Sequence, residues 1–220
     1  MPKSVEFLPL ILSGVILTVE LTVLGSLLGL MVAFAVGFAR LTKTVWLRVP
    51  ARVFMEFFRG TSLFVQLFWV YFTLPLFGIS LTPFQAGVVC LGLNAGAYMS
   101  EIVRGAILAI PREQFEACIA LNLNKGQRLR YVLLPQALRL MIPPFSNSVV
   151  ELLKSTSIVS LISLSEMTFR AQGVRVQTGD TAVPFVSILI IYYVLAKSLW
   201  LLMGRLEHRY AGSRSGERQR

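Results

Sequence analysis

Residues 110–137 read IPREQFEACIALNLNKGQRLRYVLLPQA, a polar segment that stands between two apolar runs. Pro111 suits the first turn of a helix, and Glu116 suits the positive end of the helix dipole. Apolar side chains recur at every fourth position and form a ridge, at Phe115, Ile119 and Leu123. The segment therefore predicts a short helix, shaped either to dock into a groove on another protein or to lie on the lipid surface.

The rest of the chain is dominated by apolar residues. Of 220 residues, 55% are hydrophobic and 15% are charged, against about 45–50% and about 25% in soluble globular domains. The excess lies in long runs, which is typical of helices that cross a bilayer. We predict an all-α integral membrane protein with one domain over residues 12–205. Its predicted spans are residues 12–39, 57–77, 84–108, 132–164 and 184–204, with a cytoplasmic loop at 110–135.

The Lys and Arg residues account for the net charge of +10 and predict an orientation. They cluster in alternate gaps between the runs, whereas a nucleic-acid-binding protein concentrates them on one solvated face. Because cytoplasmic loops of membrane proteins carry the excess of Lys and Arg, the alternation predicts five spans. Residues 1–11 form a short extracytoplasmic N-terminus, and residues 206–220 form a basic cytoplasmic tail. The first run is too long for a signal peptide, so we expect it to remain uncleaved.

Metal, redox and phosphate chemistry have no support in the sequence. The two cysteines, Cys90 and Cys118, lack a metal-ligand spacing, and His208 is the only histidine. A glycine-rich phosphate loop is also missing from the printed sequence. The sequence therefore predicts a protein that is not an enzyme and binds no cofactor directly.

Five stretches, taken in chain order, carry a family resemblance. They are Glu56–Thr61, Val65–Phe68, Glu101–Gly105, Glu116–Pro135 and Leu152–Ser157. Together they resemble the polar amino acid permease family of type I ABC importers, across most of residues 12–205. Within the fourth stretch, Glu116-Ala117-Cys118 and the later Leu134-Pro135 resemble the "EAA" loop of that family.

Two residues depart from the loop pattern of the family. Cys118 replaces an alanine and keeps the position small, whereas Asn122 stands where a glycine is usual. Asn tolerates the left-handed backbone better than most residues, so we expect the turn at Asn122 to survive. The sequences at residues 92–94 and 120–123 resemble those of the ectoine and hydroxyectoine branch of the family.

The resemblance implies a permease that works with several partners. These are two ABC ATPase subunits that bind the ATP, a second permease subunit in a homo- or heterodimer, and an extracytoplasmic solute-binding protein. The implied solutes are polar amino acids or related zwitterions, and the implied location is the bacterial cytoplasmic (inner) membrane. The loop residues implied to couple the permease to its ATPase are Glu116, Ala117, Cys118, Asn122, Leu134 and Pro135.

Charged side chains inside spans cost about 2.5–3.5 kcal/mol each on insertion scales, so each needs a role. The candidates for the translocation pathway or its gate are Glu20, Glu151, Lys154, Thr156 and Ser157. Glu56 with Arg59, and Glu101 with Arg104, are spaced to share a helix face, and we predict them as structural pairs. Glu20 could equally lie near the outer interface or bond to a neighbouring helix.

Other polar and helix-breaking residues also fall inside the predicted spans. Gln66 and Asn94 could bond between helices, although packing is the predicted role of both. Pro143 and Pro144 are predicted to break the fourth span, either as an interrupted helix at the pathway or as a kink in an anchor helix.

Two other classes of protein fit parts of the sequence. A membrane-embedded enzyme would need paired carboxylates or a metal set, and the isolated acidic residues, each accompanied by a base, do not supply one. An ATP-independent channel or secondary transporter for small solutes would have the same apolar runs in its sequence. It would work without a docking partner, whereas the importer would need its ATPase.

Overall fold

The computed structural model describes residues 7–211, and this part of the chain folds into helices without a strand. The predicted all-α class is therefore confirmed. Residues 1–6 of the predicted N-terminus and residues 212–220 of the predicted tail lie outside the described residues.

The first half of the described fold contains five α-helices. Its helices are α1 (Leu8–Leu12), α2 (Val15–Leu41), α3 (Val45–Gly60), α4 (Leu63–Phe68) and α5 (Pro83–Leu108). Between α4 and α5, a π-helical segment at Trp69–Thr73 and a 3₁₀ turn at Leu74–Phe77 complete the second apolar run. A capping box between Thr82 and Gln85 starts α5.

The second half begins with the polar segment and ends in a long helix. Its helices are α6 (Arg112–Ala120), α7 (Lys125–Gln127), α8 (Leu134–Ser155), α9 (Met167–Thr178) and α10 (Ala182–Ala211). A π-helical segment at Arg128–Leu133 joins α7 to α8, and a 3₁₀ segment at Thr156–Ile162 continues α8.

Three helices within residues 7–211 are long and apolar enough to cross a membrane: Leu8–Leu41, Pro83–Leu108 and Ala182–Arg205. Two bent pairs raise that number to 5 if each pair is one span. The first pair, Val45–Gly60 with Leu63–Phe77, bends by 105°, and the second, Lys125–Ile162 with Met167–Thr178, bends by 50°. These elements overlap the five predicted spans.

The centre of the bundle is the close contact between α2 and α5, the most extensive helix pair in the described fold. Small residues recur along one face of α2, at Gly25, Ser26, Gly29, Ala33 and Gly37, and all are buried. A Cβ placed on Gly96 of α5 would lie 2.7 Å from the Cβ of Val32 and 3.0 Å from the carbonyl oxygen of Gly29. The two backbones can approach this closely only because these positions carry little or no side chain.

The prolines of the fourth run do not interrupt the helix, so the interrupted-helix alternative is wrong. α8 continues through Pro143 and Pro144 to Ser155. Proline fixes φ near a helical value, so the chain can stay helical although Pro143 and Pro144 donate no bond to the carbonyls four residues earlier.

The segment between the fourth and fifth predicted spans, residues 165–183, is not an irregular loop, because it contains α9. Glu166 caps this helix by accepting a hydrogen bond from the backbone N–H of Phe169 at 2.8 Å. Gly179 ends it in the left-handed region, with φ of 69°. The polar composition concealed a helix that packs against α1 and α10.

The contact between α2 and α5 predicts the effect of adding one methyl group to it. We expect Gly96→Ala to lower the free energy of unfolding by about 1–3 kcal/mol, because Val32 and the backbone of Gly29 leave no room. Thermal unfolding of the purified protein in detergent measures this change. Gly105→Ala, on the same helix but facing open space, is the control and should retain or raise the midpoint. Equal midpoints for the two variants would contradict the packing argument.

Candidate functional site

The second apolar run breaks between α3 and α4, and two amide side chains bond the backbone at the break. The Gln66 amide donates to the carbonyl oxygens of Phe58 at 3.0 Å and Thr61 at 3.3 Å, and to the Thr61 hydroxyl at 2.7 Å. Asn94 of α5 donates to the carbonyl of Phe58 and to the Gln66 amide oxygen, both at 3.1 Å. The packing role predicted for both residues is therefore wrong, because they satisfy carbonyls that the bend leaves open.

The charged residues of α3 do not form the predicted pair. Glu56 accepts from Arg52 at 2.7 Å, and both side chains are exposed. The Arg59 guanidinium instead lies over the ring of Tyr98, 5.2 Å from its centre. The Glu56–Arg59 pairing is therefore wrong, because Arg52 takes the Glu56 carboxylate and Arg59 packs across the contact between α3 and α5 onto Tyr98.

Glu101 and Arg104 do contact each other on α5, and α2 contributes a second arginine. The Glu101 carboxylate accepts from Arg104 at 2.6 Å and from Arg40 at 2.6 Å. Arg40 is only 10% exposed, so this ion pair ties the end of α2 to α5 where solvent screens it least.

A cavity of about 430 Å³ opens beside the break in the second run, between α4, α5 and α8. Leu63, Leu91 and Ile158 are among its apolar walls. Its polar lining consists of Asn94, Tyr98, Ser148, Glu151 and Ser155. A volume of 300–1,000 Å³ with a few convergent polar groups is typical of small-molecule sites.

Glu151 is the only acidic residue among those that line this cavity. It lies on α8 with an exposed side chain, and no ion pair involves it within residues 7–211. An ionised carboxylate offers acceptors only, so this wall of the cavity suits a cationic or donor-rich group.

The other predicted pathway residues are distributed around the molecule. Glu20 is exposed on α2 and does not line the cavity beside Glu151. Lys154 and Ser157 line a second cavity of about 360 Å³ with Thr168, Phe185, Ile188, Leu189 and Tyr192. Thr156 is fully buried and bonds to the carbonyl of Leu153 at 2.7 Å. The structure thus brings Lys154 and Ser157 together and separates both from Glu20.

Beside the second cavity lies a buried acidic residue that sequence reasoning missed. Glu166 is 0% exposed, and its carboxylate accepts from the Tyr192 hydroxyl at 2.9 Å. The hydroxyls of Thr156 and Thr168 each lie 3.4 Å from the Tyr192 hydroxyl. The only available signal was an acidic residue at a helix start, which normally indicates an exposed cap.

The polar segment at residues 110–137 contains α6, which packs on the ends of the membrane helices. Phe115 contacts a buried cluster that includes Met99 and Ile110 of the α5 region and Met141 of α8. Ile119, in contrast, is 57% exposed, so the predicted ridge faces two directions. One side of α6 is thus attached to the bundle, and the other is free to contact another protein.

The motif residues of α6 differ in their exposure. Glu116 and Ala117 are exposed, whereas Cys118 is 2% exposed and faces the protein. Cys118 therefore cannot contact an ATPase in this structure, which corrects the role that the resemblance implied for it.

The turn after α6 adopts the backbone that the sequence suggested. Asn122 has a φ of 54°, in the left-handed region that the usual glycine would occupy. Arg128 donates to the carbonyl of Leu123 at 2.6 Å, and Asn124 caps the next helical turn. Leu134 and Pro135 then begin α8 directly, so the loop is connected to a membrane helix without a flexible linker.

Comparisons with known proteins identify relatives along nearly the whole chain. Residues 25–212 match the family described as the binding-protein-dependent transport system inner membrane component. The probable amino-acid ABC transporter permease protein y4tF of Sinorhizobium fredii is 41% identical, over 88% of this chain and 84% of that protein. The L-cystine transport system permease protein TcyB of Bacillus subtilis is 36% identical, over 93% of this chain and 88% of that protein. The glutamine transport system permease protein GlnP of Escherichia coli is also 36% identical, over 92% and 93%.

Solved structures share the same fold. The crystal structure of an amino acid ABC transporter with histidines superposes with a TM-score of 0.88 at 32% identity, over 93% of this chain and 96% of that chain. The MetNI methionine ABC transporter in an inward-facing conformation has a TM-score of 0.80 at 21% identity, over 96% and 99%, which supports the fold alone.

The amide network at the break predicts a loss of stability when one amide is removed. We expect Asn94→Leu to lower the free energy of unfolding by about 1–3 kcal/mol, because the Gln66 amide oxygen loses its donor. Thermal unfolding of the purified permease in detergent is the measurement. Asn147→Leu, the same change at an exposed position of α8, is the control and should leave the midpoint nearly unchanged. An Asn94→Leu variant as stable as this control would show that the network does not hold the bend.

Proposed function

This chain belongs to the family of binding-protein-dependent transport system inner membrane components, and from that premise we propose that it carries polar amino acids or related zwitterions across the membrane. It is a permease subunit of an ABC importer and a multi-pass inner-membrane protein, not an enzyme. Family membership also implies an ATPase and a solute-binding protein as its partners. The solute class extends to this chain from relatives named for amino-acid, cystine and glutamine transport.

The observation that carries the solute proposal is the cavity beside Glu151. Its single carboxylate suits the ammonium or amidinium group of a zwitterion. Asn94, Tyr98 and the two serines of the lining can form hydrogen bonds with the remaining polar groups of the solute. The cavity volume of about 430 Å³ accommodates a small solute rather than a peptide. The ectoine and hydroxyectoine branch remains a prediction within this class.

Coupling to the ATPase is the second part of the proposal. The exposed face of α6, with Glu116 and Ala117, would enter a groove on the ATPase. Phe115, on the other side, packs against the cluster formed by α2, α5 and α8. A displacement of α6 is therefore transmitted directly to the helices that line the cavity.

The assembly and the orientation extend this proposal. A second permease subunit, identical or related, would supply the other half of the pathway. The long apolar helix Ala182–Arg205 supports this, because its most apolar window is only 6% buried within the chain. The N-terminus would lie outside and the tail in the cytoplasm, since the basic residues concentrate after α2, around α6 and after α10.

The role of Glu151 predicts a change in solute affinity. We expect Glu151→Gln to raise the KM of ATP-driven uptake by about tenfold or more, because a hydrogen bond to a charged group contributes about 1.5–3 kcal/mol. Uptake is measured in proteoliposomes that contain the permease, its ATPase and its binding protein. Glu151→Asp retains the charge and should restore most of the affinity. An unchanged KM in Glu151→Gln would remove Glu151 from the solute site.

The coupling role predicts a different defect. We expect Glu116→Arg to abolish ATP-driven uptake while leaving membrane insertion intact, because a reversed charge on the exposed face opposes docking. Uptake and co-purification of the ATPase are measured together. Glu207→Arg, the same charge reversal near the end of α10, should behave as the wild type. Full uptake by Glu116→Arg would refute the coupling assignment, and transport by the permease without any ATPase would refute the importer.

A further inference from the structure

Lys154 lines the second cavity and Glu166 lies behind two of its lining residues, and neither side chain has an ion-pair partner within residues 7–211. The ion pairs of this part of the chain are Arg40–Glu101, Arg52–Glu56 and Arg104–Glu101. Lys154 lines the cavity with an exposed side chain. Glu166 is fully buried behind Tyr192 and Thr168, which line the same cavity.

The carboxylate of Glu166 is held by neutral groups alone. It accepts from the Tyr192 hydroxyl at 2.9 Å and from the Phe169 N–H at 2.8 Å. The cation one turn along α9, Arg170, is occupied elsewhere, since it donates to the Ser13 hydroxyl at 2.6 Å. A buried carboxylate is costly without a cationic partner, because hydrogen bonds from neutral donors replace only part of its hydration.

Lys154, on the other side of the cavity, is a cation without an anionic partner in the described part of the chain. It lies on α8, a helix of the membrane bundle, where a charge without a counter-ion is costly. Phe185, Ile188 and Leu189 form the apolar wall opposite and offer no acceptor. Among the described residues, no acidic residue lines this cavity, and the acidic group directly behind its lining is Glu166, which accepts a hydrogen bond from the lining residue Tyr192.

The structure also provides a bridge between the two charges. The Tyr192 hydroxyl lies 3.4 Å from the Thr156 hydroxyl, just beyond Lys154 on the same helical run. Tyr192 belongs to α10, Glu166 precedes α9, and Lys154 belongs to α8. Closing the cavity would therefore draw three separate elements onto one polar cluster.

We propose that Lys154 and Glu166 form an ion pair, through or beside Tyr192, in one state of the transport cycle, an inference that rests on the proposed importer function. In that state the second cavity closes, and the end of α8 is clamped against α9 and α10. In the structure described above the cavity is open and the charges are apart. In the closed state Glu166, already buried, would gain the cationic partner that it lacks in this structure. Both residues are thus positioning residues of the transport cycle, and the proposal does not depend on the solute site at Glu151.

Cysteine cross-linking across the cavity tests closure without measuring transport. Ser157→Cys and Leu189→Cys, on opposite walls, are introduced into the permease–ATPase complex and oxidised in the nucleotide-free and the vanadate-trapped states. We expect the cross-link yield to differ at least threefold between the two states. This difference should disappear when Lys154→Gln or Glu166→Gln is added. Equal yields in both states, or a difference that survives both substitutions, would overturn the proposal.

A double-mutant cycle tests whether the two charges act together. Uptake in proteoliposomes is measured for Lys154→Gln, Glu166→Gln and the double variant. We expect each single change to lower the rate by about tenfold and the double variant to be no slower than either, as for residues that interact directly. Multiplied losses would show that the residues act independently and would overturn the pair. A loss in Lys154→Gln alone would place its partner on another subunit, with the same consequence.

Two controls separate the pair from general effects of charge or folding. Lys197→Gln removes a lysine of α10 that stacks on Trp200 at 4.3 Å, away from the cavity, and should retain wild-type uptake and cross-linking. The exchanged variant, Lys154→Glu with Glu166→Lys, keeps both charges and should recover part of the state-dependent cross-link. An exchanged variant that assembles with its ATPase but shows no state dependence would contradict the pairing.

Discussion

Polar groups inside this bundle must find partners within the protein, because the hydrocarbon of a membrane offers none. The requirement is most visible where the second apolar run bends by 105°. Gln66 and Asn94 donate to the backbone that the bend exposes, and they also bond to each other. Because those two amides close the bend, the run can be irregular beside the cavity and still remain inside the protein.

The tight contact between α2 and α5 fixes the position of α5, which carries Asn94 to the bend. Glycines let the two helices touch along their length, and residues such as Val32 leave no room for even one added methyl group. Such a contact acts as a rigid frame, because close-packed interiors do not deform continuously. The Arg40–Glu101 pair extends the frame to the end of α2, close to where α5 leads into the polar segment.

The parts attached to this frame are those that a transport cycle would move. α6 adjoins it through Phe115, and its turn passes without a linker into α8. α8 then carries Glu151 toward one cavity and Lys154 toward another. A force applied at α6 would therefore reach both cavities through a single element.

Local features of the sequence were enough to predict the fold class, the apolar runs and the family. Apolar runs and charge clusters are read from residues that are adjacent in the chain, and the motif around Glu116 is contiguous. All of these patterns can therefore be recognised without knowing any tertiary contact. The left-handed turn at Asn122 belongs to the same group, because it depends on the preference of one residue. The wrong predictions were local rules applied where surroundings decide: Pro143 and Pro144 remain helical, and α9 forms in a segment expected to be a loop.

What only the tertiary structure decided is which polar side chains meet. Spacing allowed Glu56 to pair with Arg59, but Glu56 bonds to Arg52, and the packing of α3 against α5 places Arg59 over Tyr98. Gln66 with Asn94, and Glu166 with Tyr192, are far apart in the chain and meet through the register of packed helices. That register is determined by how closely the backbones approach, a property of two surfaces together. The sequence by itself thus determined that the chain is a helical membrane permease, and the packing of its helices decided which charges are buried, paired or left facing a cavity.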